Sequence, residues 1–199
     1  LLTGRSIDTL QSGEAGNVND APESLAVRSG GLLLGKLGSR IRIDGVLVVR
    51  EPHGSSHAAI VTHIGQVLAT VFGPGRHLRL QAPLALGEHS EPEPDIALVT
   101  GRARDYIAAH PTTALLVIEV ADSSLRLDRR FKTEVYARAG LQEYWIVNLV
   151  DGTLEVHREP ELGSDDLWHY RSIEVLRPPA SVRPLAVPHA ETSVADLLP

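Results

Sequence analysis

The chain has 199 residues, of which 43% are hydrophobic and 22% charged, the profile of an ordinary soluble globular protein long enough to bury a core unaided. It has no cysteine, which excludes a disulfide framework, a thiolate metal site and a cysteine nucleophile. The net charge of −6 offers no global basic surface to a polyanion, although residues 125–132, LRLDRRFK, carry four positive charges against one negative.

Residues 1–30, rich in Gly, Ser, Asn and Asp, read as a loosely ordered N-terminal arm, and residues 31–199 as one domain. GGLLLGKLG lacks the spacing of a phosphate-binding P-loop. No apolar run approaches the roughly 20 residues needed to cross a bilayer, and no signal-peptide pattern opens the chain. The expected location is cytoplasmic, with no membrane partner. From Arg40, IRI-DG-VLVV signals a hairpin around an Asp-Gly turn. Between His57 and Phe72, Ile60, Val61, Ile64, Val67, Leu68 and Val71 share one face, which predicts a helix stopped by Gly73-Pro74.

Strand-like runs follow at 77–83, 94–100 and 114–120. A second helix is predicted from about Leu127 to Ala139, capped by Gly140. EYWIVN, an Asp151-Gly152 turn and TLEVHR make another hairpin, and 168–176 a last strand. The Pro-rich C-terminal segment is expected to edge the fold. This order gives an α/β or α+β class with a mixed β-sheet flanked by helices and an added N-terminal hairpin.

Three residues carry the chemistry. Glu119 lies inside ALLVIEV, an apolar run of the kind covered on both faces, where an ionised carboxylate needs a cation or hydrogen-bond donors. The alternative is a strand end with Glu119 in solvent. Asp95 leads a strand and follows Glu91 and Glu93, an acid cluster that a hard divalent cation would neutralise and that simple solvation would also tolerate. Lys132 falls on the helix stripe of Asp128, Val135, Tyr136 and Ala139, facing the sheet. A snorkelling lysine paired with Asp128 is the plainer reading. Two carboxylates on neighbouring strands can hold a Mg²⁺-like ion while a lysine from a packed helix completes a phosphodiester-hydrolysing site.

SEPEPDIALV, LLVIEVADSSLRLDRRFKTEVYARAGLQEYWIVN and the DG turn together resemble the Uma2-like family of endonucleases, once a domain of unknown function. The resemblance is strong over roughly residues 77–160 and weaker over 40–72. It implies the PD-(D/E)XK, restriction-endonuclease-like fold and Mg²⁺- or Mn²⁺-dependent hydrolysis of DNA. It places the motif acids at Asp95 and Glu119, both metal-binding, with the backbone carbonyl of Val120 as a further ligand. The lysine position two residues after the glutamate is Ala121 here, and the resemblance moves that lysine to Lys132. Asp128 would orient Lys132, and His57, which begins the first helix on its apolar side, would be accessory. Arg126, Arg129 and Arg130 are candidates for the phosphate backbone against the plain reading of a solvated helix face.

Relatives show a glutamate before the DG turn where this chain has Ile41, and Glu51 is the nearest substitute. His53 and His57 lack the third ligand of a zinc site. Tyr144 and Trp145 read as core more readily than as a base-stacking platform. Cleavage of both strands of a duplex favours a homodimer. The rival readings are a catalytically weakened nuclease fold that binds nucleic acid or protein, and a hydrolase of another phosphoester.

Overall fold

The structure, a computed structural model, describes residues 54–199, together with the backbone of three short strands, β1 (Leu25–Val27), β2 (Arg40–Ile43) and β3 (Val46–Arg50), and the side chain of Arg42. Within the arm read as loosely ordered, residues 25–27 instead form β1; the rest of the arm, GGLLLGKLG, Glu51 and His53 and the side chain of Ile41 lie outside the described residues. β2 and β3 pair antiparallel with Ile43 opposite Val46, the register of the hairpin read from IRI-DG-VLVV. β1 adds to β3, giving the order β1-β3-β2.

Helix α1 (Ser55–Phe72) buries Val61, Ile64, Leu68 and Phe72, a stripe at helical spacing. It stops at Gly73, whose φ of 64° only a residue without a Cβ adopts cheaply. The main sheet has six strands in the order β4-β5-β6-β7-β8-β9: β4 (Arg76–Leu80), β5 (Ile96–Thr100), β6 (Leu116–Ala121), β7 (Glu143–Asn148), β8 (Thr153–Leu162) and β9 (Trp168–Leu176). Every neighbouring pair is antiparallel except β6 and β7.

That one parallel pair shapes the molecule. Parallel neighbours cannot be joined by a tight turn, so the chain between them must travel back along the sheet. It does so as a helix in three consecutive stretches: α2 (Leu125–Leu127), a π-helical turn (Asp128–Lys132) and α3 (Thr133–Arg138). The end is a Schellman cap: Leu141 N–H donates to the Tyr136 carbonyl at 3.1 Å and Gly140 N–H to that of Ala137 at 2.9 Å, with Gly140 at φ 72°.

Strand alternation sorts the side chains into two layers. Ile96, Leu98, Leu116, Ile118, Val120, Trp145, Val147, Leu154 and Val156 pack with α1. Ala97, Val99, Val117, Ala121, Tyr144 and Ile146 pack with Val135, Tyr136 and Ala137 of α3. The C-terminal segment differs from the expectation of an edge. Val182, Val187, Val194 and Leu197 are buried in the α1 layer, and a short pairing of Ser181–Val182 with Thr192–Ser193 holds them there. Among the described residues no helix is long and apolar enough to cross a membrane.

Candidate active site

Asp95 immediately precedes β5, and Glu119 sits in the middle of β6. The register Ile96 opposite Ile118 makes Asp95 and Glu119 the next pair along, so two acids 24 residues apart in sequence become neighbours. The backbone N–H of Asp95 lies 3.4 Å from Glu119 Oε2. Glu119 is fully buried, Asp95 is 1% exposed and Lys132 2%, which overturns the reading of Glu119 as a solvated strand end.

The crossover helix carries Lys132 directly over this pair. Its ammonium lies 2.8 Å from Glu119 Oε2 and 2.7 Å from Asp128 Oδ1. Lys132 therefore bridges both acids, where the plainer sequence reading offered only Asp128. Three buried charges are compatible here because the cation sits between two anions and each carboxylate has further donors. Ser124 Oγ donates to Asp128 Oδ2 at 2.7 Å, and Tyr136 OH to Glu119 Oε1 at 2.7 Å.

Asp95 is held from two sides. Val120 N–H donates to Oδ2 at 2.9 Å, and His57 Nε2, from the first turn of α1, lies 3.1 Å from Oδ1. Burial alone would push this carboxyl up. The His57 hydrogen bond, the Lys132 and His57 charges and the Val120 N–H outweigh it and hold Asp95 well below the usual carboxylate range.

Lys132 is the last residue of the π-turn. A π-turn widens the helix and leaves one carbonyl poorly served by the α pattern, and such turns recur at functional sites. Here the carbonyl that takes the wider bond belongs to Asp128. It accepts from the Thr133 N–H, from Thr133 Oγ1 at 3.0 Å and from Tyr144 OH at 3.2 Å. Burial, followed by the charges of Asp128 and Glu119, pushes the Tyr144 phenol well above its ordinary value, so it remains a neutral donor.

Asp95, Glu119, Lys132, Asp128 and His57 thus meet in one constellation. The arginines do not join it as a group. Arg126, Arg129 and Arg130 are on the exposed side of the helix, but the Arg129 guanidinium is held by Glu155, with Nη2 2.6 Å from Oε1, and that of Arg130 lies 5.8 Å from the Phe131 ring centroid. Tyr144 and Trp145 are fully buried; they are core and carry no exposed stacking face. Of Glu91 and Glu93, the first is exposed, and its N–H pairs with the Arg42 carbonyl at 2.7 Å. Tyr136 and Ser124 were missed by the sequence reading as site residues. Tyr136 carried a signal, standing four residues after Lys132 on the same stripe.

Oxygen donors of this kind suit a hard cation such as Mg²⁺ or Mn²⁺. Among the described residues no group of three or more His, Asp or Glu side chains is arranged to enclose a metal ion. Two carboxylates nonetheless fit Mg²⁺, which is commonly held by one or two carboxylates with waters and substrate phosphate making up the rest.

The family model Uma2, described as "Putative restriction endonuclease", matches residues 38–195. Among solved structures, the chain is similar to "a putative nuclease belonging to DUF820" from Anabaena variabilis. The TM-score is 0.65 at 18% identity, over 83% of this chain and 92% of that one, so the two share a fold. No curated protein matches the chain.

Proposed function

The chain belongs to the Uma2 family, and from that premise we propose that it is a metal-dependent endonuclease hydrolysing DNA phosphodiester bonds. The observation that carries the proposal is the burial of one ammonium between two acids beside a third carboxylate, Asp95, held ionised. A scaffold needing only stability would do as well or better with apolar residues there.

Asp95 and Glu119 would hold Mg²⁺ or Mn²⁺, with the Val120 carbonyl as third protein ligand. In a strand the N–H and C=O of one residue point to the same side, and the Val120 N–H already points at Asp95. The ion would supply Lewis acidity toward a phosphoryl oxygen and toward the attacking water. Lys132 orients that water and offsets the charge developing on the phosphoryl oxygens. Asp128 and Ser124 hold the lysine in place, Tyr136 fixes the rotamer of Glu119, and His57 does the same for Asp95. Arg126 and Arg130 are the candidates for flanking phosphates. Two copies of the chain would cut two strands.

A Mn²⁺ titration by calorimetry tests this reading. The wild type is expected to bind with an affinity that Glu119→Gln reduces at least tenfold. Equal binding by both proteins would leave the constellation structural and favour a non-catalytic module. Plasmid, single-stranded DNA, RNA and mononucleotides offered with Mn²⁺ decide the substrate, and turnover of mononucleotides alone would replace DNA with another phosphoester.

A further inference from the structure

Beside the candidate site lies a second buried charged group that the proposed function does not use. In the sheet register Glu119 stands opposite Ile146, and Ile146 opposite Glu155. The three side chains form a row on the helix-facing side, with the two acids two strand spacings apart, about 10 Å. Glu155 is 3% exposed. Arg129 meets it with a forked contact, Nε at 3.0 Å from Oε2 and Nη2 at 2.6 Å from Oε1. Asn148 Nδ2 donates to Oε1 at 3.0 Å, and His157 Nε2 lies 3.7 Å from Oε2.

Arg129 and Lys132 belong to the same π-turn. They reach down on either side of the buried Ile146 and grip the two acids that flank it. The wider π-turn spreads residues three apart further around the axis than an α-turn does, and this lets one turn straddle a strand. A planar guanidinium forked onto a carboxylate fixes orientation as well as charge, which an ammonium does not. The turn thus has a rigid anchor at Arg129 and a compact ammonium at Lys132.

We propose that Arg129 and Glu155 are positioning residues for Lys132: their ion pair sets the register of the π-turn and thereby the place of the ammonium over Glu119. The inference rests on the reading of Lys132 as catalytic. In this role neither residue needs to touch substrate. Loss of the anchor lets the turn relax toward α geometry and draws Lys132 out of line, while the substrate surface and the metal-binding acids stay as they are.

The test compares Arg129→Gln, Glu155→Gln and Arg129→Lys with wild type and Lys132→Ala, in Mn²⁺-dependent nicking of supercoiled plasmid, with rates taken per folded molecule. Because the Arg129 side chain is half exposed, Arg129→Gln carries the test even where Glu155→Gln does not fold. The expected result is a fall in kcat of about 10- to 100-fold, the scale of a displaced catalytic group. KM and the Mn²⁺ affinity stay within twofold, and Arg129→Lys recovers part of the loss. A folded Arg129→Gln with wild-type kcat beside an inactive Lys132→Ala overturns the positioning role alone. So does a loss appearing in KM or Mn²⁺ affinity. A fully active Lys132→Ala overturns the catalytic reading and the positioning role with it.

Discussion

The two faces of the six-stranded sheet differ in what they bury. Toward α1, β5, β6 and β7 present Ile96, Leu98, Leu116, Ile118, Val120, Trp145 and Val147, with the buried Glu143 at the start of β7 paired to Arg158, and the helix meets them with Val61, Ile64, Leu68 and Phe72. Toward the crossover helix, the same strands bury Glu119 and Asn148, β8 adds Glu155 and His157, and the helix answers with Asp128 and Lys132. The first face contributes stability by removing apolar area from water. The second withdraws charges from water and recovers that cost only where each charge is paired and hydrogen-bonded. Both faces bury apolar side chains, and the charged constellation is set into the one that carries the parallel crossover, with His57 of α1 reaching it at the edge.

The sharpest way to break this comparison is to remove one charge. Lys132→Ala leaves Glu119 and Asp128 buried without their cation and is expected to cost about 3–5 kcal/mol. On the other face Leu68→Ala should cost about 2–5 kcal/mol by leaving a cavity, with the nicking rate per folded molecule unchanged. Chemical denaturation measures both. The faces then separate by what repairs them. Adding Glu119→Gln to Lys132→Ala removes one of the orphaned charges, so the double variant should lose less stability than the sum of the two singles. No second substitution among the acids should restore Leu68→Ala.

Tyr136→Phe is a smaller perturbation of the charged face. It deletes the hydroxyl that donates to Glu119 Oε1 and should cost about 1.5–3 kcal/mol, the range for a hydrogen bond to a charged group. A cost indistinguishable from zero would mean that Glu119 does not depend on this donor.

The smallest effect is a pH dependence. Burial raises the Glu155 carboxyl, but the nearby His157 imidazole and the hydrogen bonds from Arg129 and Asn148 outweigh it and lower it from the usual 4.5 to about 2. A folded value below the unfolded one means stability that is fully present above about pH 5 and drains as pH falls toward 2. Glu155→Gln should flatten the urea-denaturation midpoint across that window. An unchanged slope would show that Glu155 titrates alike in the folded and unfolded chain.

Much of the fold was legible because its elements announce themselves by period and by punctuation. The stripe of α1, its stop at Gly73, the Gly140 cap and the strand at 168–176 are examples. Glu119 stood out because a charge inside an apolar strand demands a partner, and Lys132 because it fell on the buried stripe of its helix. What stayed hidden has physical reasons. The π-turn is defined by backbone bonding from Thr133 to Asp128, which leaves no mark on hydrophobic spacing. Glu155 and His157 alternate with Leu154 and Val156 as solvent-facing residues would. Alternation reveals which face a side chain takes, and here a helix covers the other face too. The C-terminal segment buries isolated valines between prolines, with no period from which to read their burial.

The most direct test of the central claim is nicking of supercoiled plasmid in Mn²⁺ by the wild type beside two variants that keep the packing, Asp95→Asn and Lys132→Arg. Asn can still accept from Val120, and Arg keeps the positive charge. One set of acids and one compact ammonium acting on a common phosphodiester predicts Mn²⁺-dependent nicking by the wild type, with both variants slower by about 100-fold or more. Equal rates in all three proteins, or nicking that persists when Mn²⁺ is chelated, would contradict it.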